Sequence, residues 1–130
     1  MKMRRHNFKN LKIWQEGISL AGMSYRVTKG FPDSEKFNLV SQMNRCAVSI
    51  PSNIAEGSGK GTNKHFKVFL ENSLGSAFEW ETQLIISHNE NFLDHESFRN
   101  LEEKILNLQK MIGGFLNNLE DDHKNKKSSL

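Results

Sequence analysis

Apolar residues recur every three or four positions in four separate segments of the chain, and each segment predicts an amphipathic helix. In the first segment, 11–29, the pattern includes Trp14, Ile18 and Tyr25. Gly17 lies inside this helix, although glycine costs up to ~1 kcal/mol relative to alanine there. Ala21 and Gly22 are further small residues in this helix, and we therefore expect another helix to approach closely where these three residues lie.

The second helix is predicted from about Glu35 to Gly57. Its apolar stripe consists of Phe37, Val40, Met43, Ala47 and Ile54. Pro51 lies within this pattern, where it lacks a backbone N–H and its ring crowds the carbonyl of the preceding turn. Because the apolar pattern continues past Pro51, we expect a kink in the helix and not a break.

The third helix, about Asn63 to His88, is apolar on more than one side. One stripe consists of Phe66, Phe69, Ser73, Ala77, Trp80 and Leu84, and another of Leu70, Leu74, Phe78 and Ile85. Phe78 and Trp80 are two residues apart, so about 200° separates them around the helix. One core cannot cover both, and we expect a second subunit to cover the outer side.

The fourth helix begins after Asp94 and carries a regular apolar seam. The seam consists of Phe98, Leu101, Ile105, Leu108, Ile112, Phe115 and Leu119. The sequence thus predicts an all-α fold, an antiparallel up-down-up-down four-helix bundle over residues 11–119 with its second helix kinked at Pro51. Residues 1–10 are interpreted as a flexible basic arm, and 120–130 as a polar, frayed C-terminal tail.

Composition adds few constraints on function. The 130 residues carry a formal net charge of +3, a mild basic bias that permits nucleic-acid binding. Cys46 is the only cysteine, so an internal disulfide is impossible and a reducing compartment is expected. No signal-peptide core or membrane span is recognisable, and we expect a cytoplasmic protein.

No motif nominates an enzyme. The run GSGKGT, 57–62, looks like the end of a nucleotide-binding loop, but Ile54 occupies the position of the required first glycine. We interpret the run as a helix-terminating loop and Cys46 as a small buried hydrophobe. The histidines are scattered, with no pair at a metal-ligand spacing. We predict no catalytic residues, no metal, no cofactor and no small-molecule substrate.

Polar residues follow one side of the second helix: Arg45, Ser49, Ser52, Asn53 and Glu56. They form either an exposed polar face or an interhelical or intersubunit network with Glu79. Gly75 and Ser76 in the third helix favour a close approach on that side. Phe78 and Trp80 complete this set of candidate network or interface residues.

Basic residues stand around the glycine loop and in the arm. The candidate nucleic-acid contacts are Arg4, Arg5, Arg45, Lys60, Lys64 and Lys67. The alternative is a solvated basic surface without a ligand, because no aromatic-interleaved nucleic-acid motif accompanies these residues.

The segment QMNRCAVSIPSNIAEGSGKG, 42–61, resembles the signature of the 23S rRNA intervening-sequence protein family, or four-helix bundle proteins. The resemblance continues in residues 66–70, in Gly75-Ser76 and in EWETQL, 79–84, and it covers almost the whole chain. It implies an antiparallel four-helix bundle and a ring-shaped homopentamer. The chain departs from the family pattern at Asn44, His65, Phe78 and Trp80.

Two functions follow as hypotheses. The first is a non-enzymatic homo-oligomer that binds structured RNA or DNA through backbone contacts. The alternative is a protein-interaction scaffold, a ring that docks a partner protein without nucleic acid. An activity does not follow from the family resemblance, because the family takes its name from where its genes are found.

Overall fold

The computed structural model describes residues 7–119, and all regular structure in that part of the chain is helical. The four α-helices are α1 (Lys12–Thr28), α2 (Leu39–Ser58), α3 (Asn63–Asn89) and α4 (His95–Asn118). Two short 3₁₀ turns, Phe8–Asn10 and Asp33–Glu35, precede α1 and α2. The prediction of an all-α fold with four helices is confirmed. The predicted C-terminal tail and most of the predicted arm, including Arg4 and Arg5, lie outside the described residues.

Side-chain caps define the start of α3 and α4. Thr62 Oγ1 accepts the backbone N–H of His65 at 3.2 Å, which confirms the predicted cap, and Asp94 Oδ1 accepts that of Ser97 at 2.8 Å. Such caps satisfy backbone donors that have no partner inside the helix. Hydrogen bonds from Ser97 also lower the pKa of Asp94.

The start of α2 differs from the prediction. The helix begins at Leu39, because Asp33–Glu35 forms a separate 3₁₀ turn. Phe37 lies in the turn before the helix and is 86% exposed. Its assignment to the apolar stripe of the second helix was wrong, because helical periodicity does not extend to residues outside the helix.

The core contains apolar side chains from all four helices. Its fully buried members include Met43, Ala47, Ile50, Ile54, Leu70, Ala77, Trp80, Leu84, Ile105 and Ile112. Each helix packs on its neighbour in sequence, and α1 also packs on α4. Along each sequential pair, residues toward the start of one helix contact residues toward the end of the other, and residues near the middle contact each other. The pairs are Gly17–Pro51, Ser24–Asn44, Ser73–Ile50, Ser87–Met43, Phe66–Phe115 and His88–His95.

Pro51 is buried inside α2, and the helix continues past it to Ser58. A Cβ added at Gly17 would lie 3.2 Å from Pro51 Cβ. Gly17 thus allows α1 to approach α2 at the proline, as the sequence predicts. This close contact contributes packing that offsets the low helix propensity of glycine.

A buried polar network joins α1, α2 and α3. Trp80 Nε1–H donates to Ser24 Oγ at 3.0 Å, and Ser24 Oγ–H donates to Asn44 Oδ1 at 2.8 Å. Asn44 Nδ2 in turn donates to Thr28 Oγ1 at 3.2 Å. Trp80 has 0% exposure, so its side chain belongs to the core and to this network and does not face outward. The departure at Asn44 from the family pattern therefore has an internal role in this chain.

Candidate functional site

Small polar side chains form a seam between α2 and α3. Ser49 Oγ and Ser76 Oγ are 2.9 Å apart, and Asn53 Nδ2 donates to both Ser49 O and Ser49 Oγ. Ser73 Oγ–H donates to Ile50 O at 2.9 Å. We name the residues Ser49, Asn53, Ser73 and Ser76 the polar seam. The bonds of Ser49 with Ser76 and of Ser73 with Ile50 join the two helices, whereas Asn53 bonds to Ser49 within α2. The hydroxyls between the helices occupy little volume and let the backbones lie close.

Cys46, Glu79 and Gln83 extend the seam toward the start of α2. Burial of Cys46, and then its contact with Glu79, raise the pKa of the thiol to about 11. The thiol is therefore protonated at neutral pH and is a poor nucleophile. Gln83 is 6% exposed, and its Oε1 atom is buried without a hydrogen-bond partner among residues 7–119. The sequence analysis missed Gln83, although its spacing of one helical turn from Glu79 places both on the same side of α3.

Glu56 and Gly75 were predicted members of the network, but both lie outside the seam. Glu56 is exposed near the end of α2. Among the described residues, no neighbouring heavy atom lies within 4 Å of where a Cβ of Gly75 would stand, so Gly75 makes no close approach to them. The close approach of α2 to α3 is at Gly57, where an added Cβ would lie 2.7 Å from Phe69 Cβ. The sequence analysis assigned Gly57 only to helix termination, because a glycine at a helix end has that simpler explanation.

The predicted basic residues are not all together. Lys60 and Lys64 are exposed at the α2–α3 loop and the first turn of α3, and Lys67 follows half-buried. Lys60 Nζ lies 5.0 Å from the centroid of the Phe69 ring, a cation–π distance. Arg45 stands roughly 20 Å before the end of α2, because each helical residue advances 1.5 Å. Its expected clustering with the lysines was wrong for that reason.

One outer side of the bundle, the α3/α4 face, carries exposed apolar side chains. Phe78 is 51% exposed, Ile85 39% and Leu106 43%. Phe78 and Ile85 are about two turns apart and share one side of α3. Gln109 Nε2 donates to Glu81 Oε1 at 2.8 Å. Because Gln109 lies about one turn from Leu106 on α4, and Glu81 about one turn from Phe78 and Ile85 on α3, the three exposed apolar side chains lie on neighbouring sides of the two helices.

A second outer side, the α1/α2 face, has the same character. Ile18 is 47% exposed, Tyr25 50% and Val48 42%. Ile18 and Tyr25 are also about two turns apart on one helix. Since each helix packs on its sequence neighbour and α1 on α4, the α1/α2 and α3/α4 faces lie on opposite sides of the bundle.

Neither a three-residue metal-ligand cluster nor a membrane-spanning helix occurs in the part of the chain that the structure describes. Within residues 7–119, no group of three or more histidine, cysteine, aspartate or glutamate side chains could hold a metal ion. The helices in this part of the chain are too short or too polar to cross a membrane. What the chain presents is a polar seam, two outer apolar faces and a basic loop.

These features accompany a match to a known family. The family model described as 23S rRNA-intervening sequence protein matches residues 9–114. The chain belongs to this family. The resemblance seen in the sequence is thereby confirmed.

A solved structure supports the fold independently of that match. A protein of unknown function from the S23 ribosomal protein family of Bacteroides thetaiotaomicron superposes with a TM-score of 0.75. The alignment covers 81% of this chain and 95% of the other, with 19% identity. Comparison with curated proteins gives no match.

Proposed function

We propose that this member of the 23S rRNA-intervening sequence protein family is a non-enzymatic homo-oligomer that binds structured RNA or DNA through backbone contacts. The observation that carries the assembly is the pair of outer apolar faces. Side chains as large as Phe78 and Tyr25 are half exposed on them. Exposed apolar side chains that lie on one side of a protein mark an interaction site when they form a patch.

The two faces favour a head-to-tail assembly. They lie on opposite sides of the bundle and consist of different residues, so the α3/α4 face of one copy can pack on the α1/α2 face of the next. A heterologous contact of this type forms a ring when its rotation closes. Five subunits is the number implied by the family resemblance, and we adopt it for the proposal.

The basic loop supports nucleic acid as the ligand. Lys60 and Lys64 are exposed, and in a ring each copy would contribute the same pair together with its net charge of +3. Repeated lysines neutralise phosphates without reading bases, which gives salt-dependent binding. Structured RNA is the first ligand to test.

The decisive variant reverses the charge of Lys60 and Lys64. In K60E/K64E, binding to a structured rRNA fragment should weaken. The slope of the logarithm of the binding constant against the logarithm of the salt concentration should become less steep by roughly one for each lost lysine–phosphate contact. The matched control is K29E/K36E, which makes the same charge change at two exposed lysines near the opposite end of the bundle. Equal losses in both variants, or no loss in either, would contradict the assignment of the loop.

Light scattering at low and high salt, with and without RNA, tests the assembly itself. A multimer near five chains that grows with RNA at low salt and releases it at high salt is expected. A monomer would refute the interpretation of the apolar faces.

A protein-interaction scaffold is the second candidate. Val68 and Ile86, 49% and 45% exposed, share a side of α3 that lies outside the two faces described above. They are available to a partner protein after assembly. A ring that is indifferent to RNA and retains a protein partner after nuclease treatment would favour this function.

We also infer two finer features of the architecture. The order of contacts along each helix pair supports the up-down-up-down direction, and Pro51 supports a kink in α2. A single cysteine, buried in the seam, is compatible with the cytoplasmic location that we propose.

A further inference from the structure

Two histidines meet at the turn between α3 and α4. His88 lies in the last turn of α3, and His95 is the first residue of α4. Although they are seven positions apart in sequence, His88 Nε2 and His95 Nδ1 are 3.3 Å apart. The scattered spacing of histidines in the sequence gave no sign of this contact, because the turn brings the two helix ends together.

The distance between the two nitrogens matches a metal site. Histidine nitrogens bind Zn²⁺ at about 2.0–2.1 Å, so two of them at a tetrahedral angle lie roughly 3.3 Å from each other. The two nitrogens are also at hydrogen-bond distance from each other, so one ring can donate to the other when no ion is bound. An ion between the two nitrogens would take the place of that shared proton.

The surroundings hold the His88 ring and the backbone of the turn in place. The His88 ring stacks on Phe98 with centroids 4.0 Å apart and planes 10° from parallel. Asn91, at a φ of 63°, adopts the left-handed conformation that turns the chain toward α4. The cap of Asp94 on Ser97 fixes the first turn of α4. A site built this way loses little side-chain freedom on binding, which favours affinity.

We propose that His88 and His95 form a two-imidazole site for a divalent transition-metal ion, with Zn²⁺ as the best fit. No third histidine, cysteine, aspartate or glutamate in the described chain completes a larger group with them, so water would occupy the remaining positions. Both nitrogens must be unprotonated to bind. The ion would link the end of α3 to the start of α4, independently of nucleic-acid binding.

Calorimetric titration of ZnCl₂ into the untagged full-length chain tests the site. One ion per chain should bind, and H95N should lower the affinity by about tenfold or more, since loss even of outer-shell partners costs that much. His95 is exposed, so H95N is expected to fold normally; H88N should give the same loss but also removes the ring stacked on Phe98.

Two control variants separate this site from other zinc ligands. H65N removes a histidine at the start of α3, and C46S removes the only thiol; both should bind as the unmodified chain does. In imidazole ¹⁵N spectra, zinc should shift His88 Nε2 and His95 Nδ1 selectively. Absence of binding at millimolar zinc, unchanged affinity in H95N, or an equal loss in H65N or C46S would overturn the proposal.

Discussion

Replacing Gly57 with alanine should destabilise the protein, although alanine is the better helix former. The new Cβ would lie 2.7 Å from Phe69 Cβ and 2.9 Å from Phe66 Cδ1. The Cβ of Phe69 is attached directly to the backbone of α3, so no side-chain rotation relieves the overlap and the helices must separate. Overpacking of this kind costs about 1–3 kcal/mol, with the upper part of the range expected here.

Helix propensity acts in the opposite direction. Alanine gains up to about 1 kcal/mol over glycine in a helix interior, so the net loss for G57A is about 1–2 kcal/mol. Gly114 in α4 offers the matched control, because no neighbouring atom of the described residues lies within 4 Å of its Cβ position. G114A should therefore gain about 0.5–1 kcal/mol.

Urea denaturation followed by far-UV circular dichroism, at one fixed protein concentration, measures both variants. The midpoint of G57A should fall below that of the unmodified chain, and the midpoint of G114A should rise above it. If G57A is as stable as G114A, the approach of α2 to α3 is looser than described and the steric argument fails.

Three further predictions concern the core, the outer face and the thiol. S24A should lower the free energy of unfolding in urea by about 1–3 kcal/mol, because the buried Trp80 N–H loses its acceptor. The loss should be smaller in a W80F background, which has no indole N–H. Equal losses in both backgrounds would contradict the hydrogen bond. F78E should dissociate the proposed oligomer without unfolding the chain, as measured by light scattering. F37E makes the same change at an 86% exposed position and should leave the oligomer intact. Continued assembly of F78E would refute the role of the α3/α4 face. The Cys46 pKa is raised from 9.0 to about 11, so the folded state retains a proton that the unfolded state loses, and stability should fall as pH rises from about 9 to 11. C46A should lack that component, and an identical alkaline slope in C46A would rule out the thiol as its source.

The fold was largely predictable because burial in a helical bundle follows a periodic pattern. Apolar residues at helical spacing, such as Ile105 and Ile112 in α4, identify both the helix and its buried side. Thr62 was recognisable as a cap, since its role depends only on neighbours within one turn. Phe37 was not predictable, because its exposure depends on where α2 starts, and a 3₁₀ turn moved that start to Leu39.

The candidate site was less predictable because it depends on pairs of helices. Ser49 and Asn53 were recognisable as polar positions beside a proline, but the partner Ser76 was fixed only by the register of α3 against α2. Gln83 gave no signal of burial, since glutamine usually lies at the surface. The contact between His88 and His95 required the shape of the intervening turn, which periodicity does not describe.

The positions of the two tryptophans give the protein separate optical reporters of folding and assembly. Trp80 is fully buried with its indole N–H bonded to Ser24, so its emission changes when the helices separate. Trp14 is half-buried on α1 and packs edge-on against Phe8, with ring centroids 5.3 Å apart. It adjoins the α1/α2 face, so its emission would respond to the neighbouring subunit of the proposed ring. In W14F, the remaining Trp80 would report unfolding of the chain. In W80F, the remaining Trp14 would report dissociation of the proposed oligomer, so a denaturant titration of the two variants can separate the two events.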